Sequence, residues 1–560
     1  MIVLGIHDGH DSSACLLGDG RVILASAEER RTNKKNYAGV PKESIKAIFD
    51  HSNIDPHHVD LVALGCRIRT TAPSREKKRI YPFLHFLAFL GRYQWSTSAG
   101  QWLLSRLQQR RELYEYLDKL GIQCPRITFD HHQTHAVSAY FHRPWEDNAL
   151  VLTLDGAGDG ICAAVWLGRD HDLRLIARTP KFHSIAAGLY SNITAHLGLT
   201  PYEHEYKIMG MAPYGQAKYC LSMLDGLFSV RGLEFRNHTN RGIASILRLL
   251  DQRLVRQRFD NIAAACQQVF ENLVLQWVRN AIAATGVPRL CCAGGAFLNV
   301  KVNKLIRELP EVEKFYVYPA SDDGGTSEGA AILGYLQAGR AAGQAAQLNL
   351  QKDMYLGLSF TDDQCLRALD ACAAIQYQRM NQPAEEIADL LARNQVVARF
   401  AGREEWGPRA LGNRSILADP RNMAIIRKLN FAIKLRDFWM PFAASILEED
   451  QHIYINNLSG EPYFMIEAFD TRQPAGERIV AGTHPFDQTV RPQIVNGLNP
   501  EYRDIIRAFK RRTGIGAVLN TSFNLHGYPI VGSPQTALHT LLNSALDALA
   551  LGPFLVRRKI

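Results

Sequence analysis

Two histidines four residues apart give the strongest sign of chemistry in this sequence. His131 and His135 lie in the run Asp-His-His-Gln-Thr-His-Ala. On a helix this spacing places both imidazoles on one face, and a metal ion needs ligands that converge on one point. Because the same spacing also fits solvated or helix-capping histidines, a metal site requires carboxylates beside them.

Two aspartates follow strand-like runs and meet that requirement. Asp155 comes after the apolar run 149–154 and before a glycine turn, so it should end a buried strand and point into a cleft. Asp322 follows a second such run, 314–318, and precedes a predicted helix; the alternative is that Asp322 or Asp323 only caps this helix. With the histidines, Asp155 and Asp322 predict a site for Fe(II), Mn(II) or Zn(II) that has open positions for substrate oxygens.

The length and composition describe a globular protein of at least two domains. At 560 residues the chain is too long for a single core. It lacks both an apolar run of about 18 residues and a basic leader, which predicts a cytoplasmic protein without a transmembrane segment. Ten cysteines without a Cys-x-x-Cys pair indicate free thiols in a reducing compartment rather than a disulfide frame or a zinc knuckle.

The charge of the chain favours anionic ligands without requiring a nucleic acid. The net charge is +9, but it is spread along the whole sequence. The basic clusters at 30–35 and 75–79 lack the interleaved aromatic residues of a single-strand binding surface. No nucleic-acid partner is therefore expected.

The order of predicted strands indicates an internally duplicated α/β fold. A hairpin unit at 3–25 carries an Asp- and Gly-containing turn, and a second hairpin at 149–166 has the same design. This layout is typical of actin-like ATPases, in which the two turns face a nucleotide. An insertion is predicted at about 70–120. It holds the apolar run 80–90, for which a buried helical face is favoured over an interfacial or acceptor-binding surface. A domain boundary is predicted near residue 350.

The second half of the chain is rich in groups that bind anions. Arg409 and Arg414 lie in a glycine-rich stretch at 402–415, where guanidinium forks and exposed amides suit a phosphate or a carboxylate. The alternative for any single arginine is a surface ion pair. Further candidates in this half are Lys434, Arg436, Arg491, Asn520 and Ser522.

Ordered motifs across nearly the whole chain resemble one enzyme family. They are His10-Asp11-x-Ser13, Glu28-Glu29-Arg30, His131-His132-x-x-His135-Ala136, Asp155-Gly156, Lys207-x-Met209-Gly210, Gly294-Gly295-x-x-Leu298-Asn299, Ser321-Asp322, Gly407-Pro408-Arg409-Ala410-Leu411-Gly412 and Asn520-Thr521-Ser522-Phe523-Asn524. These strings are similar to the O-carbamoyltransferases of nodulation-factor synthesis and antibiotic tailoring, the NodU/CmcH type that includes nebramycin 5′ synthase-like enzymes.

The resemblance implies two α/β domains and a two-step reaction. Residues 1–350 would form an actin-like carbamoyltransferase domain similar to the tRNA threonylcarbamoyl transferase, and residues 351–560 a YrdC-like domain. Carbamoyl phosphate and ATP, with Mg²⁺, would give carbamoyl adenylate and pyrophosphate in the second domain. The carbamoyl group would then pass to a hydroxyl of a small sugar or natural product at the first domain's metal site. Fe(II) is favoured there over Mn(II) or Zn(II).

The resemblance also implies roles for individual residues. His10 would be the base that accepts the hydroxyl proton, since a free imidazole with a pKa near 6.5 can do so at neutral pH. The adenylate would contact Lys207, Gly294, Gly295 and Asn299, where glycines let a nucleotide approach the backbone. Carbamoyl phosphate and ATP would contact Arg409, Arg414, Lys434, Arg436, Arg491, Asn520 and Ser522. Asp8 and Lys35 would lie near the acceptor or a phosphate.

One departure from the family pattern bears on the donor. Where the family typically has Arg-Pro-Phe-Ala-Pro, this chain has Met440-Pro441-Phe442-Ala443-Ala444. A methionine cannot bind phosphate, so either Arg436 or another basic residue compensates, or the first half-reaction is weakened or uses another donor. Two other functions stay open: an actin-like ATP-binding switch protein and a tRNA threonylcarbamoyl transferase. The sequence does not specify the acceptor and leaves a homodimer open.

Overall fold

The structure is a computed structural model that describes residues 1–67, 98–343, 347–434, 436–456, 458, 460 and 462–559. It contains three large sheets of mixed direction with helices packed against them. The apolar run 80–90 of the predicted insertion lies outside the described residues, whereas the end of that insertion is a helix, Ser98–Lys119.

The first sheet has five strands in the order β3-β2-β1-β4-β5. The first three strands form antiparallel pairs, and β4 and β5 continue the sheet in parallel from β1. The apolar strands are buried as their composition predicts. Their bounds are β1 Ile2–His7, β2 Ser13–Gly18, β3 Arg21–Ala27, β4 Leu61–Leu64 and β5 Arg126–Thr128.

The second sheet repeats this arrangement. Its order is β12-β11-β6-β7-β8, with an antiparallel β6-β7-β8 meander and with β11 and β12 parallel to β6. The strands are β6 Ala149–Gly158, β7 Ile161–Arg169, β8 Asp172–Pro180, β11 Arg289–Ala293 and β12 Lys314–Val317, and a separate pair is β9 Phe228–Arg231 with β10 Glu234–Asn237. The shared order confirms the predicted actin-like duplication.

The third sheet has eight strands and lies within residues 375–558. Its order is β13-β22-β21-β14-β15-β20-β16-β19. The prediction that the second half is also α/β is confirmed. The strands are β13 Ile375–Arg379, β14 Val397–Phe400, β15 Arg414–Ala418, β16 Ala443–Leu447, β19 Gln493–Val495, β20 Ala517–Ser522, β21 Ala548–Leu551 and β22 Phe554–Arg558, with β17 Phe469–Asp470 and β18 Thr489–Val490 as a separate pair.

The α-helices cover the faces of these sheets. In chain order they are α1 Glu28–Thr32, α2 Lys42–Ser52, α3 Ser98–Lys119, α4 His131–Phe141, α5 Asn192–His196, α6 Glu205–Met211, α7 Leu221–Leu224, α8 Ile243–Arg253, α9 Phe259–Thr285, α10 Val300–Arg307, α11 Thr326–Ala341, α12 Asp362–Asp370, α13 Pro383–Ala392, α14 Met423–Lys428, α15 Gln451–Tyr454, α16 Pro500–Thr513 and α17 Pro534–Leu542. Two π-helical turns, Ala186–Ser191 and Leu429–Lys434, add to them. Short 3₁₀ segments are Pro56–His58, Lys181–His183, Ala212–Tyr214, Ala217–Tyr219, Gly295–Leu298, Asp323–Gly325, Glu448–Asp450 and Ala475–Gly482.

Helices α4 and α11 pack between the two duplicated sheets and position the chemistry. They cross so closely that a Cβ on Gly329 of α11 would lie 2.1 Å from the carbonyl oxygen of Thr134 in α4. Only glycine allows this approach. The crossing brings the histidine face of α4 beside the loop that precedes α11, which is the loop that carries Asp322 and Asp323.

A buried arginine joins the two halves of the molecule. The guanidinium of Arg30, in α1, donates to Glu404 Oε1 at 3.1 Å and to the backbone carbonyl oxygens of Glu405 and Gly407. Arg31 donates to the other oxygen of Glu404 at 2.5 Å. Both arginines and Glu404 are nearly inaccessible to solvent, so the loop between β14 and β15 is held against the first domain by charge-assisted hydrogen bonds.

All ten cysteines are free thiols. Among the described residues, no helix combines the length and the apolar content needed to cross a membrane.

The Arg30 contact predicts a large loss of stability for Arg30→Met. Removing one partner of a buried ion pair leaves an uncompensated charge and costs about 3–5 kcal/mol. The midpoint of thermal unfolding should therefore fall by several degrees. A matched control is Arg111→Met, because Arg111 and Glu115 form a 2.7 Å ion pair on the surface, and its loss should leave the midpoint nearly unchanged. Equal midpoints for the two variants would show that the Arg30 contact does not hold the domains together.

Candidate metal centre and anion site

The two histidines of α4 converge as their spacing predicts. The Nε2 atoms of His131 and His135 lie 3.1 Å apart, and both side chains are almost completely buried. Asp130 caps the helix by accepting from the backbone N–H groups of His132 and Gln133. The backbone N–H of His131 donates to Asp159 at 2.8 Å. The helix therefore begins at the first histidine, and its capped end fixes where both imidazoles point.

Two carboxylates complete the cluster, and one of them differs from the sequence prediction. Asp155 Oδ2 lies 3.2 Å from His131 Nε2, as predicted. The second is Asp323, whose Oδ1 lies 3.5 Å from His131 Nε2 and 3.7 Å from His135 Nε2. Asp322, the predicted ligand, does not join these three side chains. The chain leaves β12 in a turn that aims the second aspartate of the pair, not the first, at the histidines.

The cluster has the geometry of a metal site. One nitrogen or oxygen atom from each of His131, His135, Asp155 and Asp323 lies within 4.8 Å of the others. Two nitrogens bound to one ion at about 2.1 Å are separated by roughly 3.0 Å for a right angle and 3.4 Å for a tetrahedral angle. The observed 3.1 Å between the imidazole nitrogens falls in this range. The four side chains therefore fit a divalent cation with nitrogen and oxygen ligands.

The protonation equilibria of the cluster reflect its crowded charges. Burial raises the pKa of Asp323 well above its usual range, and the Asp155 carboxylate raises it further. Burial also opposes ionisation of Asp155, but its hydrogen bond and attraction to His131 outweigh this effect and lower its pKa. Burial and the charge of His131 lower the pKa of His135 to about 3. A neutral imidazole beside carboxylates is the form that binds a metal cation.

His132 lies beside the cluster, but its ring nitrogens contact other residues. Its Nδ1 lies 2.9 Å from Thr153 Oγ1 and its Nε2 lies 3.2 Å from the carbonyl oxygen of Ile161. Burial, together with repulsion from His131, lowers the pKa of His132 to about 3. The neutral ring therefore ties α4 to β6 and β7.

One cavity of about 1050 Å³ reaches from the metal cluster to the second domain. Asp155 and Asp323 line one end, and Arg409, Arg436 and Ser522 line the other. Other lining residues are His10, Asp11, Glu29, Lys35, Asp159, Tyr202, Glu205, Tyr206, Gly295, Asn299, Asp322, Trp406, Asn524 and Tyr528. The carboxylate end and the guanidinium end therefore face the same space.

Two arginines that line the second end of the cavity, Arg409 and Arg436, form an anion site together with Arg491, which lies near both of them but is not part of the cavity wall. Burial lowers the pKa of Arg409 to about 10, and repulsion by Arg436 adds to this. Burial and the charges of Arg409 and Arg436 lower the pKa of Arg491 well below its usual range. Within the described part of the chain, none of the three forms an ion pair with a carboxylate, and the Nε atoms of Arg409 and Arg491 have no hydrogen-bond partner. Neighbouring guanidinium groups that form no direct ion pair suit a phosphate.

Two predicted donor-binding residues have structural roles instead. Arg414 is fully buried, donates to the backbone carbonyl oxygens of Ala401 and Leu358 at 2.8 and 3.2 Å, and stacks on Phe400. Asn520 donates to Ser445 and Gln493 inside the third sheet, among other partners. Neither side chain lines the cavity. This arrangement therefore does not support the prediction that they contact carbamoyl phosphate or ATP, because both side chains lie behind the cavity wall and are held by other parts of the chain.

Lys434 lies directly behind the cavity wall. Its Nζ donates to Ser522 Oγ at 3.2 Å and to the carbonyl oxygen of Asn524 at 3.2 Å. Burial lowers the pKa of Lys434 well below its usual range, and the charges of Arg436 and Lys35 lower it further. Because Ser522 and Asn524 do line the cavity, Lys434 shapes the loop that faces the anion site.

Lys207 and Met440 meet at the boundary between the two halves. Lys207 Nζ forms a 3.0 Å ion pair with Asp437, and its side chain is not part of the cavity wall. This differs from the predicted contact with an adenylate phosphate. Met440 packs against α6, where its Sδ would lie 3.0 Å from a Cβ on Gly210. The methionine that replaces the family arginine is thus a buried packing residue.

The predicted nucleotide turn borders the cavity in part. Gly295 and Asn299 line it, whereas Gly294 lies behind them. Asn299 also caps α10 through the N–H of Val302 and bonds to Gln267.

His10, Asp8 and Lys35 occupy three different environments. His10 lines the cavity, with Nδ1 2.8 Å from Asp11 Oδ2. Burial opposes protonation of His10, but Asp11 and Asp323 outweigh it and raise the pKa to about 9, above the value near 6.5 expected from sequence. Asp8 is buried away from the cavity, 3.5 Å from Arg110. Lys35 lines the cavity and pairs with Glu203 at 3.0 Å.

Sequence reasoning missed several cavity residues. The sequence predicts Asp323 only as a possible helix cap. Asn524 lies in the motif 520–524 and Trp406 in the glycine-rich stretch 402–415, but no sequence pattern indicates that these two residues or Tyr206 line a cavity. Asp11 follows His10 directly, so a search for carboxylates beside the candidate base would have found it.

Comparison with known proteins identifies the chain. The family model for the carbamoyltransferase N-terminus matches residues 2–332, and the model for the carbamoyltransferase C-terminus matches residues 388–558. The chain belongs to the carbamoyltransferase family. The nodulation protein NolNO of Sinorhizobium fredii is 30% identical to this carbamoyltransferase over 98% of this chain and 79% of that protein. The nodulation protein NolO of Bradyrhizobium diazoefficiens is 34% identical over 77% of this chain and 79% of that protein.

A solved structure also matches part of the carbamoyltransferase. The crystal structure of T. kodakarensis HypF superposes with a TM-score of 0.36 and 12% identity, and the match covers 63% of this chain and 48% of that one.

The cluster geometry predicts which aspartate matters for metal binding. Asp323→Asn should weaken Mn(II) binding by at least about tenfold, the scale on which partners of a metal site act. Asp322→Asn should bind Mn(II) with nearly the affinity of the wild type, since Asp322 lies outside the cluster. Isothermal titration of the chelator-treated protein measures both affinities. If Asp322→Asn weakens Mn(II) binding and Asp323→Asn does not, Asp322 is the metal ligand and the assignment of Asp323 is wrong.

Proposed function

We propose that this carbamoyltransferase is an ATP-dependent O-carbamoyltransferase with two half-reactions in one cavity. Water removes the phosphate of carbamoyl phosphate, and an oxygen of the resulting carbamate attacks the α-phosphorus of ATP, which releases pyrophosphate. The carbamoyl adenylate then reacts with an acceptor hydroxyl, which gives the carbamate ester and AMP. The expected acceptor is a small sugar or natural product, as in antibiotic biosynthesis, with no nucleic-acid partner.

The observation that carries this proposal is the continuity of the cavity. Arg409 and Arg436 of the anion site and Asp155 and Asp323 of the cluster suited to a divalent cation line the same space. A carbamoyl adenylate is an anion with a reactive carbonyl group, so it requires a cationic site where it forms and a polarising site where it reacts. A shared cavity would also keep this hydrolysable intermediate away from bulk water.

The arginine end would hold the donor. Arg409, Arg436 and Arg491 would bind the phosphates of carbamoyl phosphate and ATP, with Mg²⁺ for ATP. Ser522 and Asn524 line the same end, where Ser522 Oγ donates to Asn524 Oδ1 at 2.7 Å and the Asn524 amide donates to the carbonyl oxygen of Tyr528 at 2.6 Å. The three guanidinium groups repel each other without an anion, so a bound phosphate would relieve that repulsion.

The cluster end would hold the acceptor and the carbamoyl group. His131, His135, Asp155 and Asp323 would bind the metal, for which Fe(II) is favoured over Mn(II) or Zn(II). The chemistry that such a metal supplies is Lewis-acid polarisation of a carbonyl oxygen. His10 would exchange a proton with the acceptor hydroxyl, and Asp11 would orient its imidazole through Nδ1.

The two alternatives fit the cavity less well. An actin-like switch protein would need the nucleotide turn but not three unpaired arginines on another domain. A tRNA threonylcarbamoyl transferase would need a surface for a large polyanion, whereas the anion site lies inside a cavity. Neither alternative explains why the guanidinium cluster and the metal cluster share one wall.

The donor site predicts a selective defect for Arg491→Met. A hydrogen bond to a charged group contributes about 1.5–3 kcal/mol, so the KM for carbamoyl phosphate should rise by roughly 10- to 100-fold. The assay is carbamoyl-phosphate-dependent release of pyrophosphate from ATP. Arg427→Met is the matched control, because Arg427 is exposed in the same half of the chain and should leave KM unchanged. If the wild type releases no pyrophosphate in this assay, the proposed formation of carbamoyl adenylate is contradicted.

The acceptor half predicts that the two reactions can be separated. Wild-type protein with ATP, carbamoyl phosphate and a hydroxyl acceptor should add about 43 Da to the acceptor, the mass of a carbamoyl group replacing one hydrogen. His131→Ala should keep pyrophosphate release and lose this product, because it removes one ligand of the metal cluster and no donor-site group. Mass spectrometry of sugars and hydroxylated natural products detects the adduct. Loss of both activities in His131→Ala would contradict separate sites.

A further inference from the structure

We propose that Trp406, from the second domain, is a positioning residue for the metal centre of the first domain. It would set the loop that carries Asp323 through its hydrogen bond to Tyr318, while the next residue, Gly407, packs against Ala320. This inference rests on the proposed metal site. It extends that site beyond its ligands, because the loop between β14 and β15 would help to hold the ligand Asp323 in position.

The loop that carries Trp406 is itself rigidly anchored. Glu405 Oε1 accepts hydrogen bonds from the backbone N–H groups of Leu411, Asn413 and Arg414, at 2.7 to 3.0 Å. Because Glu405 is fully buried, one carboxylate oxygen organises the interior of the loop. Arg30 then holds the outside of the loop through the carbonyl oxygens of Glu405 and Gly407.

Trp406 reaches from this loop to the end of β12. Its backbone N–H donates to the carbonyl oxygen of Met354, and its indole N–H donates to the hydroxyl of Tyr318 at 3.2 Å. Its ring is buried, with only 4% of its surface exposed, and it contributes to the cavity wall. An indole N–H in such a place needs a hydrogen-bond partner, and Tyr318 provides it five residues before Asp323.

The next residue packs against the same segment. Gly407 has φ +98°, and a Cβ on it would lie 3.2 Å from the Cα of Ala320. Glycine is favoured here by its left-handed backbone and by this close contact. Trp406 and Gly407 therefore contact two residues of the five-residue stretch that ends at Asp322, immediately before the ligand.

The first domain holds the other side of Tyr318. Its hydroxyl donates to Glu328, and Glu328 Oε1 lies 3.0 Å from His142 Nε2. His142 is at the end of α4, the helix that begins with the metal-binding histidine. Tyr318 thus lies between α4, α11 and the second-domain loop, and its hydroxyl accepts from Trp406 while donating to Glu328. Loss of the indole N–H would release one of the two bonds that fix this hydroxyl.

The test is the Mn(II) affinity of the full-length Trp406→Phe variant, measured by competition with a chromogenic chelator. Phenylalanine keeps an aromatic ring but lacks the N–H, so the affinity should fall by roughly tenfold, the low end for outer partners of a metal ligand. Trp166→Phe is the matched control, since Trp166 is equally buried and its indole N–H has no partner within the described chain. It should bind Mn(II) like the wild type.

A double-mutant cycle with Tyr318→Phe separates positioning from general loosening. If Trp406 acts through the Tyr318 hydroxyl, Trp406→Phe should have little further effect on Mn(II) affinity once Tyr318 is phenylalanine. The midpoint of thermal unfolding, measured for each of these variants, reports its stability. The inference is overturned if Trp406→Phe binds Mn(II) as tightly as the wild type, or if Trp166→Phe loses as much affinity as Trp406→Phe. The comparison of the wild type with His131→Ala tests the metal site separately. Wild-type protein that fails to bind Mn(II) overturns the metal site itself.

Discussion

The buried guanidinium of Arg30 is the contact on which the rest of the structure depends. It reaches from the first domain into the loop between β14 and β15 and bonds to a carboxylate and two carbonyl oxygens. That loop carries Trp406 and Arg409, which line the shared cavity. If the loop were free to move, the anion site and the metal cluster would not share a wall. A buried charge is costly to desolvate, so its position at the domain boundary favours a function that requires a fixed boundary.

Charges of the same sign repel each other at two places along the cavity. At one end, Asp155 and Asp323 repel each other and are partly offset by His131. At the other end, Arg409 and Arg436 repel Arg491, and none of the three arginines forms an ion pair with a carboxylate of the described residues. Each end is relieved by a ligand of the opposite charge. The proposed phosphorylated donor and metal cation would each supply such a ligand, so the unpaired groups are consistent with a binding function rather than with a role in stability.

The sequence was informative where periodicity and order carry the signal. Strand runs and glycine turns predicted the duplicated sheets, and four-residue spacing predicted that His131 and His135 converge. It failed where neighbouring residues are chemically alike. Nothing in Ser-Asp-Asp-Gly-Gly distinguishes Asp322 from Asp323, because the choice depends on the turn after β12. Arg414 was also predicted as an anion ligand, because the partners of a buried arginine cannot be read from the sequence. Its hydrogen bonds go to the carbonyl oxygens of residues such as Ala401 and Leu358, and contacts of this kind leave no pattern in a sequence.

Met440 shows how the domain boundary constrains the donor site. At this position the chain approaches α6 so closely that Gly210 has no room for a side chain without displacing the methionine sulfur. An arginine here would need either to turn into the cavity or to bury its charge beside the Lys207–Asp437 ion pair. Turning inward would add a fourth guanidinium beside Arg409, Arg436 and Arg491, where neighbouring positive charges already lower the pKa of Arg409 and of Arg491. The methionine avoids both costs, and it leaves Arg409 and Arg436 as the arginines of the cavity wall at this end, with Arg491 close to both.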